Sequence, residues 1–394
     1  MKGVHEDRLA LGRAPHRRSA QEASGPAGLT RLRRSLAHFA RGVIWLDRFV
    51  RTAYFGFTVM LVVLGAGLAV DEIGGRLLLG LLLSAACFQV YSYVLNDVID
   101  LPVDASQPRR ASDPLVRGLS GEGLSRRSGL VIALLPLPLA ALVTLWLGGN
   151  AEAWLCLGAA YLGLGQYNLW GKRFAAPPLT DFVQGCGWAA LALYGARIAA
   201  PDLAWPLLID RMLPLLALTV GLIVLITGVH GGLRDLVNDL RQGRTNASAF
   251  LGARPARPDD PQSITVTSSA GVVLYAFAWL AGMSLPALLF LQPDRAHYAG
   301  STAQLAALFG TLALLVVNAY VLWQVCRPQQ PERDTWISRQ AVTLWLPSLL
   351  LYLPCQLLSP TSRWLLLGAF AIPPLFQVKT GRWLLRQLGS EEPH

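Results

Sequence analysis

Charged residues are scarce in this sequence: Asp, Glu, Lys and Arg make up only 15% of its 394 residues, whereas 53% of the residues are hydrophobic. A soluble globular domain usually carries about 25% charged residues. The shortage excludes an ordinary soluble protein and favours a chain that lies largely in lipid.

Closely spaced cysteines are also missing. The five cysteines are dispersed through apolar segments without a C-x-x-C pair, at positions 87, 156, 186, 326 and 355. This spacing indicates neither a disulfide framework nor a zinc site.

The sequence is rich instead in long apolar runs. A run of about 20 apolar residues is long enough to cross a bilayer as a helix. Nine such runs lie at about 52–70, 77–96, 128–147, 152–169, 181–199, 212–231, 267–291, 303–325 and 341–358, and a shorter tenth run lies at 363–377. Because the gaps between the runs are short, the sequence predicts one all-α, polytopic membrane domain with about nine helices, or ten if the last run also spans.

The net charge of +10 would suit a nucleic-acid-binding protein, but the basic residues follow the predicted topology. They cluster in four alternate loops, at 106–127, 171–173, 234–257 and 327–339. Cytoplasmic loops of membrane proteins carry such an excess of Lys and Arg. We therefore expect these loops and the N-terminus in the cytoplasm, and no nucleic-acid partner.

The chain divides into a basic, mobile cytoplasmic tail at 1–43, a membrane domain at 44–380 and a short C-terminal tail at 381–394. The first segment has no apolar stretch of the signal-peptide type, and its charge favours contact with anionic membrane lipid. Lysine occurs only at positions 2, 172 and 379, against a large excess of arginine. This bias is typical of a GC-rich genome. We expect the protein in a bacterial plasma membrane.

An acidic cluster lies at the cytoplasmic end of the second run. Asp97, Asp100 and Asp104 are three and four residues apart, so a helix would place them on one face. Like charges this close repel one another and need a cation or a wide layer of water. Pro102 would bend or end the helix between the last two aspartates.

A second cluster follows the sixth run, where Asp235 and Asp239 are four residues apart on the same side of the membrane. Two such clusters facing one cavity suit Mg²⁺ bound to a diphosphate, because Mg²⁺ takes one or two carboxylates and completes its shell with phosphate oxygens and water. Nearby cations would help to neutralise the leaving diphosphate. The candidate cations are Arg110, Arg117, Lys172, Arg173 and Arg244.

These motifs resemble the UbiA superfamily of intramembrane prenyltransferases over roughly residues 45–380. Matches to its two motifs, N-D-x-x-D-x-x-x-D and D-x-x-x-D with a following Gly, are Asn96, Asp97, Asp100 and Asp104, then Asp235, Asp239 and Gly243. The resemblance implies a helix bundle around a central cavity, one or two Mg²⁺ ions and a prenyl diphosphate donor. Its implied metal ligands are Asp97, Asp100, Asp104, Asp235 and Asp239, and its implied catalytic residues are Asp97, Asp100, Asp235, Asp239 and Asn96.

The resemblance also covers substrate contacts. Tyr167 and Lys172 resemble a Tyr…Lys pair that follows the fourth helix in the family, where the Lys would contact the diphosphate. Asp113 departs from the pattern, since family members often carry Arg there. Either Arg110 or Arg117 would then take over the role of that Arg, or the loop has a different role.

Three functions are compatible with these residues. The first is transfer of a prenyl group to an aromatic or other lipid-soluble acceptor. The second is a terpene cyclase that uses the same metal site without an acceptor. The third is a transporter or lipid-binding protein, which is disfavoured because transporters place their sites near the midplane of the membrane, whereas these aspartates lie at helix ends.

Overall fold

The computed structural model describes residues 27–106, 110–171, 173–257, 266–288, 301–326, 364, 366–368 and 372–389. In chain order the helices are α1 (Ala27–Val50), α2 (Phe55–Ala69), α3 (Gly75–Asp104), α4 (Pro114–Gly118), α5 (Arg126–Leu134), α6 (Pro136–Leu147), α7 (Ala151–Trp170), α8 (Pro177–Ala199), α9 (Trp205–Val224), α10 (Gly232–Arg241), α11 (Ala247–Phe250), α12 (Ala270–Leu288), α13 (Ser301–Cys326) and α14 (Val378–Gln387). A π-helical turn (Leu225–Gly231) joins α9 to α10, and 3₁₀ turns lie at Thr52–Tyr54 and Pro373–Phe376. The two-residue strands β1 (Arg254–Pro255) and β2 (Val266–Thr267) pair antiparallel.

The predicted all-α class is confirmed, and the runs from 52–70 to 303–325 coincide with long helices. Within the described residues, four helical segments are long and apolar enough to cross a membrane: Gly75–Asp104, Arg126–Leu147, Trp205–Arg241 and Leu308–Cys326. A fifth arises if α1 and α2, bent by 63° at their junction, form one span. The run at 341–358 lies outside the described residues, so the count of nine or ten stays a prediction.

Helices also lie on both sides of the predicted domain limits. Helix α1 begins inside the segment 1–43, and α14 crosses the limit at 381. The two helices pack together through Ala40, Ile44 and Leu385, which are buried. The division into a membrane domain and two tails stays a prediction.

The bundle is built around α8, which packs against α2, α7 and α9. Glycines allow α2 and α8 to approach closely: a Cβ atom on Gly65 would overlap the carbonyl of Ala192, and one on Gly195 would overlap the carbonyl of Val62. Backbones that meet this closely fix the two helices against each other. The first residues of α8 are thereby held beside the ends of α3 and α10.

Helix α3 carries the first acidic cluster without interruption. It includes Pro102 and ends at Asp104, and the Ala105 N–H still donates to the Leu101 carbonyl at 3.0 Å. Pro102 lacks an N–H and so removes one helical hydrogen bond, but the helix neither ends nor breaks there. All three aspartates of the cluster are therefore helical.

Candidate functional site

The three aspartates of α3 divide between two cavities. Asp97 and Asp104 line one cavity with Asp113 of the following loop, and Asp100 lines another. All three lie on one side of α3, with Asp100 offset from the other two. A helix turns by about 100° per residue, so Asp104 lies within about 20° of Asp97, whereas Asp100 is rotated by about 60°.

Arginines surround the first pair. Asp97, which is only 6% exposed, accepts a hydrogen bond from Arg51 Nη2 at 2.6 Å. Arg110 lies between the carboxylates, with Nη1 3.9 Å from Asp97 Oδ1 and Nε 3.7 Å from Asp104 Oδ1. Arg110 also donates to Asp113 at 2.9 Å. Asp113 thus orients an arginine toward the cluster from the position where related sequences often carry Arg.

The charge balance around Arg110 favours its protonated form. Burial alone would lower the pKa of this guanidinium, but the carboxylates of Asp104, Asp97 and Asp113 together raise the pKa above its ordinary value. Arg110 therefore stays a cation at any pH at which the protein is folded.

The second cluster lies on α10, directly after the π-helical turn. Such turns inside α-helices are frequent at functional sites. Asp235 accepts two hydrogen bonds from its neighbour Arg234, at 3.0 and 2.9 Å. Asp239, 1% exposed, accepts one from Asn246 Nδ2 at 2.8 Å. Asn246 also caps α11 by accepting from the Ala249 N–H at 3.0 Å.

Two hydrogen bonds connect the segment after α10 with the end of α3. Arg244, which follows the second cluster, donates to Asp100 of the first cluster at 2.5 Å. Gln242 Nε2 likewise donates to Ser106 Oγ at 2.9 Å. The phenol of Tyr167 lies within electrostatic range of carboxylates from both clusters and from α8; these are Asp181, Asp100, Asp239 and Asp235.

Most of the predicted contact residues lie at this meeting point. The cavity beside Asp100 is lined by Asn96, Ile99, Tyr167, Asn168, Leu169, Arg173 and Arg244. Arg110 lies at the other cavity, as described above. Arg117 pairs with Glu122 at 3.2 Å, and 44% of its side chain is exposed. The geometry therefore favours Arg110 over Arg117 as the replacement for the missing family Arg, and Lys172 lies outside the described residues.

Sequence reasoning missed three residues that contact the aspartates. These residues are Arg51, Arg234 and Asn246. Asn246 follows a recognisable pattern, since Asn before a short helix is a favourable N-cap. Arg51 gives a weaker signal, since it lies at the edge of an apolar run just after Asp47 and Arg48, and charges at the membrane in such proteins are often functional.

The donor set suits a hard divalent cation. Among the described residues, no three His, Cys, Asp or Glu side chains are grouped closely enough to hold a metal ion. Mg²⁺ does not need three, because it takes one or two carboxylates and completes its shell with phosphate and water oxygens. Asp97 and Asp104 already face a common cation, the guanidinium of Arg110. The carboxylates therefore fit Mg²⁺, in competition with arginine.

The model of the UbiA prenyltransferase family matches residues 55–346. No curated protein sequence matches the chain.

Solved structures share the fold at low sequence identity. An apo UbiA homologue from Aeropyrum pernix K1 is 16% identical, with a TM-score of 0.56 over 75% of this chain and 95% of that chain. A digeranylgeranylglyceryl phosphate synthase is 13% identical, with a TM-score of 0.54 over 86% and 99%. A UbiA homologue from Archaeoglobus fulgidus bound to DMAPP and Mg²⁺ is 15% identical, with a TM-score of 0.53 over 79% and 99%.

Proposed function

Because the chain belongs to the UbiA prenyltransferase family, we propose that it ionises an allylic prenyl diphosphate and transfers the prenyl group to an aromatic or other lipid-soluble acceptor. The observation that carries this proposal is the hydrogen bond from Arg244, which follows the second acidic cluster, to Asp100 of the first cluster. The fold supports it, since an Archaeoglobus fulgidus homologue of the same fold binds DMAPP and Mg²⁺.

The aspartates of both clusters would hold Mg²⁺, namely Asp97, Asp100, Asp104, Asp235 and Asp239. When bound, Mg²⁺ supplies Lewis-acid chemistry that neutralises charge on the leaving diphosphate. Basic residues of this chain would add to this neutralisation of charge. Arg110, Arg173 and Arg244 bring fixed positive charge to the cavities, and Lys172 would add another cation beside Arg173.

In the reaction, the C–O bond of the prenyl diphosphate breaks and its electron pair leaves with the diphosphate. The acceptor then supplies the electron pair for the new bond to the allylic cation and loses a proton. Asn96 and Tyr167 line the cavity beside Asp100 and would orient the reacting groups there. The apolar helices below would shelter the isoprenoid chain and exclude water from the cation.

Product mass tests the proposal. The purified protein in lipid nanodiscs would be incubated with Mg²⁺ and prenyl diphosphates of several chain lengths, with and without cell lipid extract. We expect Mg²⁺-dependent diphosphate release and a prenylated product that requires the extract. A hydrocarbon formed without extract would assign the cyclase reaction instead, and no diphosphate release in any combination would contradict both.

Removing one carboxylate from each cluster tests the site itself. Asp97→Asn and Asp235→Asn should each lower the rate of diphosphate release by about 100-fold or more, the loss typical of a removed electrostatic group in an active site. Asp202→Asn is the matched control, because Asp202 is exposed in the loop after α8, at the end of that helix away from the site. Wild-type activity in either cluster variant would show that the aspartates are not the reactive site.

A further inference from the structure

Arg51 has an unusual backbone conformation. It lies between α1 and the 3₁₀ turn with φ 53° and ψ 57°, in the left-handed region. Among the described residues it is the one non-glycine residue with a positive φ. Residues with a Cβ atom adopt this conformation at a cost that glycine does not have, and such strain is often found at functional sites.

The corner between α1 and α2, formed by residues 50–54, imposes this conformation and is stabilised by buried polar contacts. Gln89 of α3, 1% exposed, donates from Nε2 to the carbonyls of Val50 and Arg51, both at 3.0 Å. Its Oε1 accepts from Thr58 of α2, which is fully buried, at 2.5 Å. The Arg51 N–H donates to the Asp47 carbonyl at 2.8 Å. Helices α1, α2 and α3 thus fix the backbone of Arg51.

This backbone conformation places the Arg51 guanidinium beside Asp97. Arg51 Nη2 lies 2.6 Å from Asp97 Oδ1, and its Cζ lies 5.0 Å from the ring centre of Tyr93, a cation–π contact. Tyr93 in turn stacks on Tyr54, with ring centres 5.9 Å apart. The aromatic rings hold the guanidinium against the carboxylate, while the Arg51 side chain remains 24% exposed.

We propose that Arg51 is an exchangeable cation of the donor site, which neutralises Asp97 in the free protein and moves to the diphosphate oxygens when a divalent cation binds Asp97. The proposal rests on the proposed function, because it requires Asp97 to be a metal ligand and the donor to be a diphosphate. A guanidinium suits both partners, since its planar fork matches carboxylate and phosphate oxygens alike.

The exchange couples the metal to the diphosphate. A divalent cation that arrives alone must displace Arg51 and leave its charge without a partner. A cation that arrives with the diphosphate offers Arg51 new anionic oxygens. Arg51 should therefore weaken metal binding in the absence of diphosphate and strengthen it in its presence, which is a positive coupling between the two ligands.

Mn²⁺ binding without diphosphate gives the first readout, measured by electron paramagnetic resonance on the purified protein. In Arg51→Asn we expect Mn²⁺ to bind at least about fivefold more tightly than in the wild type, because a competing cation beside Asp97 is gone. Asn is chosen because it tolerates the left-handed conformation. Arg41→Asn, at an exposed position on α1, should leave Mn²⁺ affinity unchanged.

Binding of inorganic pyrophosphate in saturating Mg²⁺ gives the second readout. In Arg51→Asn we expect it to weaken by about tenfold, the equivalent of one charge-assisted hydrogen bond. Arg51→Lys keeps the charge and should restore most of the pyrophosphate affinity. Opposite changes in the two affinities are the signature of exchange; two unchanged affinities, or a change of the same sign in both, overturn the proposal.

Two further variants separate the possible failures. Arg51→Gly relieves the backbone strain and keeps the corner, so its thermal midpoint shows whether a loss of binding comes from unfolding. If this variant is as stable as the wild type and binds both probes as the wild type does, Arg51 is not an exchangeable cation and the proposal is wrong. Asp97→Asn should abolish the tight Mn²⁺ site; if it does not, the metal assignment of the proposed function fails independently of Arg51.

Discussion

The carboxylates of the site are compensated by side chains of the chain itself. Asp97 contacts Arg51, Asp100 contacts Arg244, and Asp239 contacts Asn246. A buried carboxylate without a partner is expensive, so these contacts lower the cost of burying the aspartates in the donor-free protein. A metal ion must therefore compete with existing partners, and the site is organised before the substrate binds.

Asn246 makes three contacts at once, which makes it a sensitive position. Its Nδ2 donates to Asp239 Oδ2 at 2.8 Å and to the Gly232 carbonyl at 2.9 Å, and its Oδ1 caps α11 through Ala249. Asn246→Ala should lower the free energy of unfolding by about 1–3 kcal/mol, because it leaves buried groups without partners and removes a cap.

Thermal unfolding in detergent measures this effect, and diphosphate release measures the accompanying loss of orientation at Asp239. Asn246→Ser is the comparison, since Ser is also a favourable N-cap and should recover part of the stability. If both variants match the wild type in stability and rate, Asn246 does not hold Asp239 in place.

At the scale of elements, hydropathy predicted the helices well and their ends less well. The second apolar run was placed at 77–96, whereas α3 spans Gly75–Asp104. Hydropathy marks the part of a helix that would lie in lipid, and α3 continues through its polar, acidic last turns. The hydrogen bond between the segment after α10 and Asp100 is consistent with the prediction that both clusters, which follow even-numbered runs, lie on one side of the membrane.

The corner between α1 and α2 could not be predicted from local sequence. Its conformation depends on Gln89 and on Phe376, which are distant in the chain: Gln89 binds the Arg51 carbonyl, and the Thr52 hydroxyl lies 2.5 Å from the Phe376 carbonyl. Periodicity and propensity report neighbours within a few turns. The same limitation explains why Arg51 was missed.

Asp47 links this corner to the last helix. Its Oδ1 accepts from the Thr52 hydroxyl at 2.9 Å and its Oδ2 accepts from the Val378 N–H at 2.9 Å, at the start of α14. A carboxylate near a helix N-terminus is stabilising. Asp47→Ala should therefore loosen α14 and increase the hydrogen-exchange rate of its amides, measured by mass spectrometry on residues 378–387.

Asp47→Asn keeps oxygen and shape but loses the charge, and we expect an intermediate effect. Asp71→Ala, at an exposed position in the loop before α3, is the control with no expected change. Exchange in α14 that is the same in all four proteins would show that Asp47 does not anchor the helix.

At the scale of the molecule, the two ends of the bundle differ in chemistry. The end opposite the aspartates is closed by Arg197, 1% exposed, whose Nε lies 3.1 Å from Glu152 Oε2 and whose guanidinium lies 3.9 Å from the ring centre of Trp205. On α8, Arg197 and Asp181 are 16 residues apart, which corresponds to about 24 Å along the helix. The aspartates and their arginines are concentrated at one end, so we expect the proposed diphosphate donor to enter from that side.

The distribution of basic loops predicts which side that is. Loops at the aspartate end carry the arginine excess, whereas the loops at the other end contain Asp71, Glu72 and Asp202. Cytoplasmic loops are the basic ones, so the donor should enter from the cytoplasm.

In a background with the five native cysteines replaced by alanine, Ser120→Cys and Asp202→Cys mark the two ends at exposed positions. A membrane-impermeant maleimide should label Asp202→Cys in intact cells and Ser120→Cys only in inside-out vesicles. The reverse pattern would place the aspartates outside the cell, where the cytoplasmic pool of prenyl diphosphate could not reach them.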